Sequence, residues 1–280
     1  MYLVTGATGN VGSEVVAQLL ASGEKVRVFT RDAAKVARWG DRVEVAIGDF
    51  AKPGTFANAF AGVEGAFLMS GGPDGEPFAQ LVAAAKAQGN VRIVFLSTIL
   101  AGSPEFQIGK LHKDREDTIR ASALPAKFVR AGGFMTNAYR WIDTIKTEGV
   151  VYNPMGAGKF APIAPEDIAA VAVKALTTPG LPEEVFELTG GALLSVPEQV
   201  SILAEILGKP IRCVEVSTET AVQNFIRAGV PPHVAAAVGE SFRVVREGRT
   251  PLVKDTVARV TGKTPKTFEV WAREHAPRFA

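Results

Sequence analysis

Val4-Thr5-Gly6-Ala7-Thr8-Gly9-Asn10-Val11-Gly12 decides the fold of this chain. The apolar run Tyr2-Leu3-Val4 precedes it. Behind it, Ser13 to Leu20 carries apolar residues at helical spacing (Val15, Val16, Leu19, Leu20) and closes at Gly23. The glycines therefore sit on a turn from a first strand into a first helix. Such a tight turn needs residues without a Cβ, so that backbone can pass close to a bound group. The first helical turn then presents unpaired N–H groups and the positive end of a dipole, which suits a pyrophosphate. Alone, GxxGxxG is a weak signal. Between the first strand and the first helix it is strong, and Gly6, Thr8, Gly9, Asn10, Val11 and Gly12 become candidate cofactor-binding residues.

Outward from this turn the chain alternates strand and helix. Lys25 to Arg31 reads as a second strand, Arg42 to Phe50 as a third ending in a Gly-Asp turn, and Gly65 to Ser70 as a fourth followed by Gly71-Gly72-Pro73. Val91 to Thr98 is a nearly continuous apolar fifth strand, as expected where both sheet faces are covered. Ala126 to Arg130 is a sixth. Helices are expected at Thr55–Phe60, Phe78–Gln88 and Leu111–Arg120. This alternation implies a Rossmann-type α/β fold with a doubly wound parallel sheet.

The end of a second strand in such folds faces the adenosine ribose. Here Arg31 stands there with Lys35 one turn on, and the nearest carboxylate, Asp32, comes only after the arginine. A guanidinium meets a phosphate with two hydrogen bonds, so NADP(H) is expected over NAD(H), the plainer alternative being a solvated surface charge. Asp49 is placed to accept from the adenine amino group with Phe50 beside the ring; capping of the next helix is the other reading. Met69 and Ser70 end the fourth strand and Gly71 follows it, where ligands bind in open α/β sheets, so the three are candidate cofactor-binding residues.

After residue 149 the pattern changes. Gly156 to Ile163 reads as a loop and short strand, Pro165 to Leu176 as a helix, Val185 to Leu188 as a strand, Val196 to Leu207 as an amphipathic helix, and Ile211 to Val216 as a strand outside the main sheet. Thr218 to Phe279 reads as short helices broken at Gly229-Val230-Pro231-Pro232, Gly248-Arg249-Thr250-Pro251 and Gly262-Lys263-Thr264-Pro265. The expected organisation is a cofactor domain over 1–149, rejoined by 159–192. Residues 150–158 and 193–280 form a smaller, mostly helical lobe over the substrate.

Composition excludes several classes. The net charge is only +2, with no basic run or basic–aromatic stripe, so no nucleic-acid partner is expected. The single cysteine, Cys213, allows no intrachain disulfide, and no metal-type spacing exists. No apolar run is long enough for a membrane span and the chain starts with a strand the fold needs, so a cytosolic protein is expected. A monomer or a homodimer is expected, since such folds pair through helices flanking the sheet.

These residues together resemble the NmrA-like branch of the atypical short-chain dehydrogenases/reductases. The likeness rests on Gly6-Ala7-Thr8-Gly9-Asn10-Val11-Gly12, Arg31, Gly48-Asp49, the helix with His112 and Glu116, Val129 to Asn137, Asp167-Ile168-Ala169, Phe186 to Gly190 and Phe268 to Ala272. It is strongest toward bacterial NADPH-dependent quinone reductases and triphenylmethane-dye reductases, which share the histidine four residues before the glutamate. The resemblance implies an NADPH-dependent oxidoreductase acting on a quinone or similar planar, conjugated acceptor. A non-catalytic NADP(H)-sensing regulator and, more weakly, a nucleotide-sugar epimerase are the alternatives.

Ordinary members of the superfamily use a Tyr-x-x-x-Lys pair and a serine after the fifth strand. Lys113 falls at the lysine position, but Gly109 stands where tyrosine belongs, while Ser97 or Thr98 can supply the hydroxyl. His112 is the candidate proton donor or positioning group, Lys113 a candidate ribose ligand, and Ser97 a third tentative catalytic residue. A histidine packed beside the cofactor and an exposed helix lysine are equally open readings. Thr98, Phe134, Met135 and Asn137 are expected to line the substrate pocket, although Phe134 and Met135 fit the core as well.

Overall fold

The structure, a computed structural model, describes residues 1–72, 75–250 and 252–280; Pro73 and Pro251, named in the sequence analysis, lie outside the described residues. The chain runs β1 (Tyr2–Thr5), α1 (Asn10–Ala21), β2 (Val26–Thr30), β3 (Val43–Ile47), α2 (Phe56–Phe60), β4 (Gly65–Leu68), α3 (Gly75–Ala87), β5 (Arg92–Thr98), α4 (Gln107–Ala121) and β6 (Ala126–Ala131). It continues through α5 (Ile142–Glu148), β7 (Val150–Asn153), β8 (Lys159–Phe160), α6 (Pro165–Thr177), β9 (Val185–Leu188) and β10 (Leu194–Ser195). The last elements are α7 (Val196–Leu207), β11 (Arg212–Glu215), α8 (Thr218–Arg227), α9 (Pro232–Arg246), α10 (Thr256–Thr261) and α11 (Phe268–Phe279).

Seven parallel strands form the main sheet in the order β3-β2-β1-β4-β5-β6-β9. This is the doubly wound Rossmann architecture. The order reverses between β1 and β4, and the crevice beyond those strand ends is where such sheets take ligands. Thr5 ties the two strands there. It is fully buried, its Oγ1 donates to the Phe67 carbonyl at 3.2 Å, and it accepts from the Met69 amide at 2.9 Å.

One face of the sheet is covered by α1 and α6, through Val15, Val16, Leu19, Ile168, Ala172 and Leu176. The other is covered by α2, α3 and α4, through Phe56, Phe60, Phe78, Leu81 and Ile119. Each such large apolar side chain contributes about 1.5–3 kcal/mol by leaving water. A third core gathers around Trp271 and Phe279 of α11, with Val200 and Leu203 of α7, Ile145 of α5 and Val151 of β7. Here β11 pairs in parallel with β7, outside the main sheet.

Two local features matter. The segment after β2 forms 3-10 turns over Ala33–Arg42, kinked at Gly40 and capped by Asp32. And α4 starts at Gln107, not Leu111, so Gly109 lies inside the helix. A mid-helix glycine normally costs about 1 kcal/mol. Tertiary contacts override that cost: the Gln107 amide donates to Glu240 on α9 at 2.8 Å, and α4 packs closely on the 3-10 turn Ile99–Gly102. Among the described residues no helix is long and apolar enough to cross a membrane, and no group of three or more His, Cys, Asp or Glu could hold a metal.

Candidate active site

The turn between β1 and α1 is a cradle made of backbone. Gly6 sits at φ +64°, and its carbonyl accepts the Gly9 amide at 2.9 Å. A Cβ at Gly12 would lie 2.2 Å from the Gly6 oxygen, so the third glycine lets α1 approach the strand end. No side chain caps the helix, which leaves its first amides and its dipole facing the turn. Val11 is buried, so only its amide is available, whereas Thr8 and Asn10 are exposed. Asn10 Nδ2 donates to Thr136 Oγ1 at 3.2 Å, fastening the cradle to the segment after β6. Uncapped amides, a left-handed glycine and the absence of a Cβ at the closest approach all fit a pyrophosphate.

At the end of β2, Arg31 and Lys35 are exposed, and the side chain of neither forms a hydrogen bond or ion pair with any described residue. The neighbouring Asp32 carboxylate is committed to the Ala34 amide at 2.9 Å. Asp49 does not cap α2; its Oδ1 accepts the Ala51 amide at 3.0 Å, which makes a local turn. Phe50 packs edge-on against Phe29 and Phe56, with ring centroids 5.8 and 6.1 Å apart. Gly71, at φ +69°, leaves room for it, since a Cβ there would fall 2.8 Å from the Phe50 ring.

A cavity of about 390 Å³ adjoins the cradle. Met69 belongs to both: it lines the cavity, and its Sδ would be 2.0 Å from a Cβ on Gly6. The expected residues Ser70, Ser97, Thr98, His112, Phe134 and Asn137 also reach the wall. Lys113 and Met135 do not. Met135 is buried in the third core, while Lys113 Nζ lies 2.6 Å from Asp117 Oδ1 on the exposed face of α4. Sequence reasoning missed the rest of the wall, notably Arg140, Phe242 of α9 and Thr250.

Ser97 and Glu116 form one network. Glu116 is fully buried; it accepts from Ser97 Oγ at 2.7 Å, from Arg130 at 2.8 and 2.6 Å, and from Arg120 at 3.2 Å. Burial pushes its carboxyl up, but the hydrogen bonds from Arg130 and Ser97 and the two arginine charges outweigh that and hold its pKa below the usual value. Glu116 is therefore an anion that joins α4 to β5 and β6, and the Ser97 proton is committed to it.

His112 lies against Phe95, ring centroids 6.1 Å apart, with Nδ1 2.9 Å from the Ile108 carbonyl. A carbonyl only accepts, so Nδ1 carries the proton and Nε2 is left as an acceptor. Burial pulls the His112 pKa down, against weaker opposition from that carbonyl and from Glu116. A neutral imidazole accepts hydrogen bonds better than it supplies protons. Four residues before Lys113, a Cβ at Gly109 would sit 2.2 Å from the Leu100 oxygen and 2.5 Å from the Ser103 oxygen. Tyrosine cannot occupy that position without displacing backbone, which argues against carbonyl or epimerase chemistry through a Tyr-x-x-x-Lys pair.

With this geometry in place, comparison with known proteins is informative. A profile described as NAD(P)H-binding matches residues 6–179. The chain belongs to the NAD(P)H-binding family. The NAD(P)H azoreductase of Xenophilus azovorans is 36% identical, over 100% of this chain and 99% of that one. The (4-alkanoyl-5-oxo-2,5-dihydrofuran-3-yl)methyl phosphate reductase of Streptomyces griseus is also 36% identical, again over 100% and 99%. In fold, the chain is similar to the NADPH-dependent quinone oxidoreductase of Escherichia coli complexed with NADPH, at TM-score 0.86 and 22% identity, covering 98% of this chain and 99% of that one. As a member of this family, the chain is an NAD(P)H-dependent oxidoreductase.

Proposed function

We propose that the protein uses NADPH in preference to NADH and delivers hydride to a quinone, an azo compound or a similar planar conjugated acceptor. The observation that carries this reading is Met69, whose side chain rests on Gly6 of the cradle and also lines the neighbouring cavity. An acceptor in the cavity therefore lies beside whatever the cradle holds. Gly6, Gly9 and Gly12, with the amides of Asn10 and Val11, would hold the pyrophosphate, while Arg31 and Lys35 would take the 2′-phosphate. Bound NADPH supplies the hydride. The chain's own task is to position the acceptor and exclude water from it.

The wall also fits an acceptor that needs no strong acid. Gly109 excludes tyrosine, Ser97 is bound to Glu116, and His112 is neutral. Thr98 Oγ1 accepts the Leu100 amide at 3.3 Å and keeps its own proton for a substrate anion. An azo bond and a quinone, the groups named for two of the proteins compared above, are already electrophilic. Residues 150–158 and 193–280 act as the lobe that covers the acceptor. The reading carries with it a cytoplasmic monomer or homodimer working on small molecules.

Calorimetry on an Arg31→Ala variant tests the cofactor half. Its NADPH affinity is expected to fall about 10–100-fold, as for one lost charged hydrogen-bonding group, with NADH affinity held. Equal effects on both coenzymes would remove Arg31 from the 2′-phosphate. Following nicotinamide absorbance with a quinone panel tests the other half. Bound NADPH with no acceptor turned over would favour a non-catalytic NADP(H) sensor.

A further inference from the structure

The cavity wall carries an unused cation. Arg140 lies in the 3-10 segment Met135–Trp141 that follows β6, and it lines the cavity. Its guanidinium makes no hydrogen bond or ion pair with any described residue; its one side-chain partner is the Phe225 ring of α8, with Cζ 5.7 Å from the centroid. That distance is near the outer limit of a cation–π contact. Among the described residues that line the cavity there is no Asp, Glu or Lys. The other groups with hydrogen-bonding side chains, such as His112, Asn137 and Ser241, are uncharged or neutral. Thr250 on the same wall has a buried Oγ1 with no partner.

Arg140 is exposed. Even so, the surrounding protein already pulls its pKa down by loss of solvent. A flat apolar molecule filling this space would strip away the remaining water and leave a buried cation without a counter-charge, which is strongly unfavourable. A molecule with its own anion would turn that penalty into a charge-assisted, two-pronged contact.

We propose that Arg140 is a specificity-determining residue that selects acceptors bearing an anionic substituent, a carboxylate, sulfonate or phosphate, attached to the planar reducible group. The inference rests on the substrate cavity assigned under the proposed function and narrows its substrate class. The hydroxyl of Thr250 and the amide of Asn137 supply uncharged hydrogen bonds on the same wall. Arginine rather than lysine suits the task, because a planar fork matches a planar or tetrahedral oxyanion at two points.

The experiment compares matched acceptors: naphthoquinone sulfonate against neutral menadione, and methyl red against its methyl ester. In the NADPH-loaded wild type, the anionic member of each pair is expected to have the lower KM. In Arg140→Gln the ratio of kcat/KM between anionic and neutral members should drop about 10–100-fold, mostly through KM, and Arg140→Lys should recover part of it. High salt should weaken the wild-type preference. Unchanged ratios in Arg140→Gln overturn the proposal. Calorimetry of naphthoquinone sulfonate on the NADP⁺-loaded protein gives a readout free of turnover: binding weakened by Arg140→Gln supports the proposal, and equal affinity for both proteins refutes it. Turnover of menadione without any anion preference would leave the quinone reading standing and sink this one. If no acceptor turns over, the calorimetry still decides the role of Arg140.

Discussion

The cradle at residues 6–12 and the neighbouring cavity offer a ligand different things. The cradle uses main-chain amides and the space left by missing Cβ atoms, all within one turn. The cavity uses side chains gathered from β5, α4, the segment after β6, and α9 with the loop beyond it. Recognition by backbone is local, so it is written in consecutive residues. Recognition by side chains depends on which distant segments the fold brings together, and adjacent residues hold little trace of it.

The largest test of this contrast falls on the cavity side. Glu116 holds the wall together by joining α4 to β5 and β6 through Ser97 and Arg130. Glu116→Gln leaves Arg130, and in part Arg120, without its counter-charge, and breaking a buried pair in this way costs about 3–5 kcal/mol. Denaturant unfolding should show that loss. The wild type should also show a pH dependence that the variant lacks. Because the native pKa is held below the unfolded one, the unfolded state binds more protons between the two values. The contribution is present above the ordinary glutamate pKa and fades as pH falls through the lower native value. A variant as stable as the wild type would show that the cavity wall does not depend on this network.

On the cradle side, Gly12→Ala places a methyl 2.2 Å from the Gly6 carbonyl. Either α1 or the turn must shift, at a cost of about 1–3 kcal/mol in stability. The more telling loss is expected in nucleotide binding, because the shift moves the amides proposed to hold the pyrophosphate. Calorimetry with NADPH should show binding weakened far more than Arg31→Ala weakens it, and NADH binding weakened with it. If NADPH affinity survived, the turn would be a packing device and not a phosphate site.

How much of this was legible follows from the same contrast. The parallel sheet and helix α7 were readable because strand and helix periods repeat over whole segments; α7 spans Val196–Leu207 as the amphipathic pattern predicts. The cradle was readable because its glycines and its position after β1 are adjacent in the chain. The start of α4 was not, since Gly109 looks like a helix breaker until the Leu100 and Ser103 carbonyls are seen against it. Arg140 was not either: inside Ala138-Tyr139-Arg140-Trp141 nothing distinguishes it from a surface charge, and only the cavity shows that it faces a ligand-sized space with no counter-charge on the wall. Asp49 was legible as a turn residue, while its hydrogen-bond partner, the Ala51 amide, was not.

The smallest effect belongs to Lys113, and it separates the two modes of reading. Position in a pattern makes Lys113 a ribose ligand; its surroundings make it one member of an i,i+4 pair with Asp117 on the half-exposed face of α4. The ammonium sits on the carboxylate, and this interaction is what holds the Asp117 pKa down. Pairs of this kind stabilise a helix by about 0.3–0.5 kcal/mol and are screened by salt. Lys113→Ala should therefore lower stability by no more than about 0.5 kcal/mol and leave NADPH affinity within about twofold, since the side chain lies outside the cavity wall. A tenfold or larger loss of NADPH affinity would mean that the side chain leaves Asp117 and reaches the ribose once cofactor is bound, and the superfamily pattern would then outrank the geometry seen here.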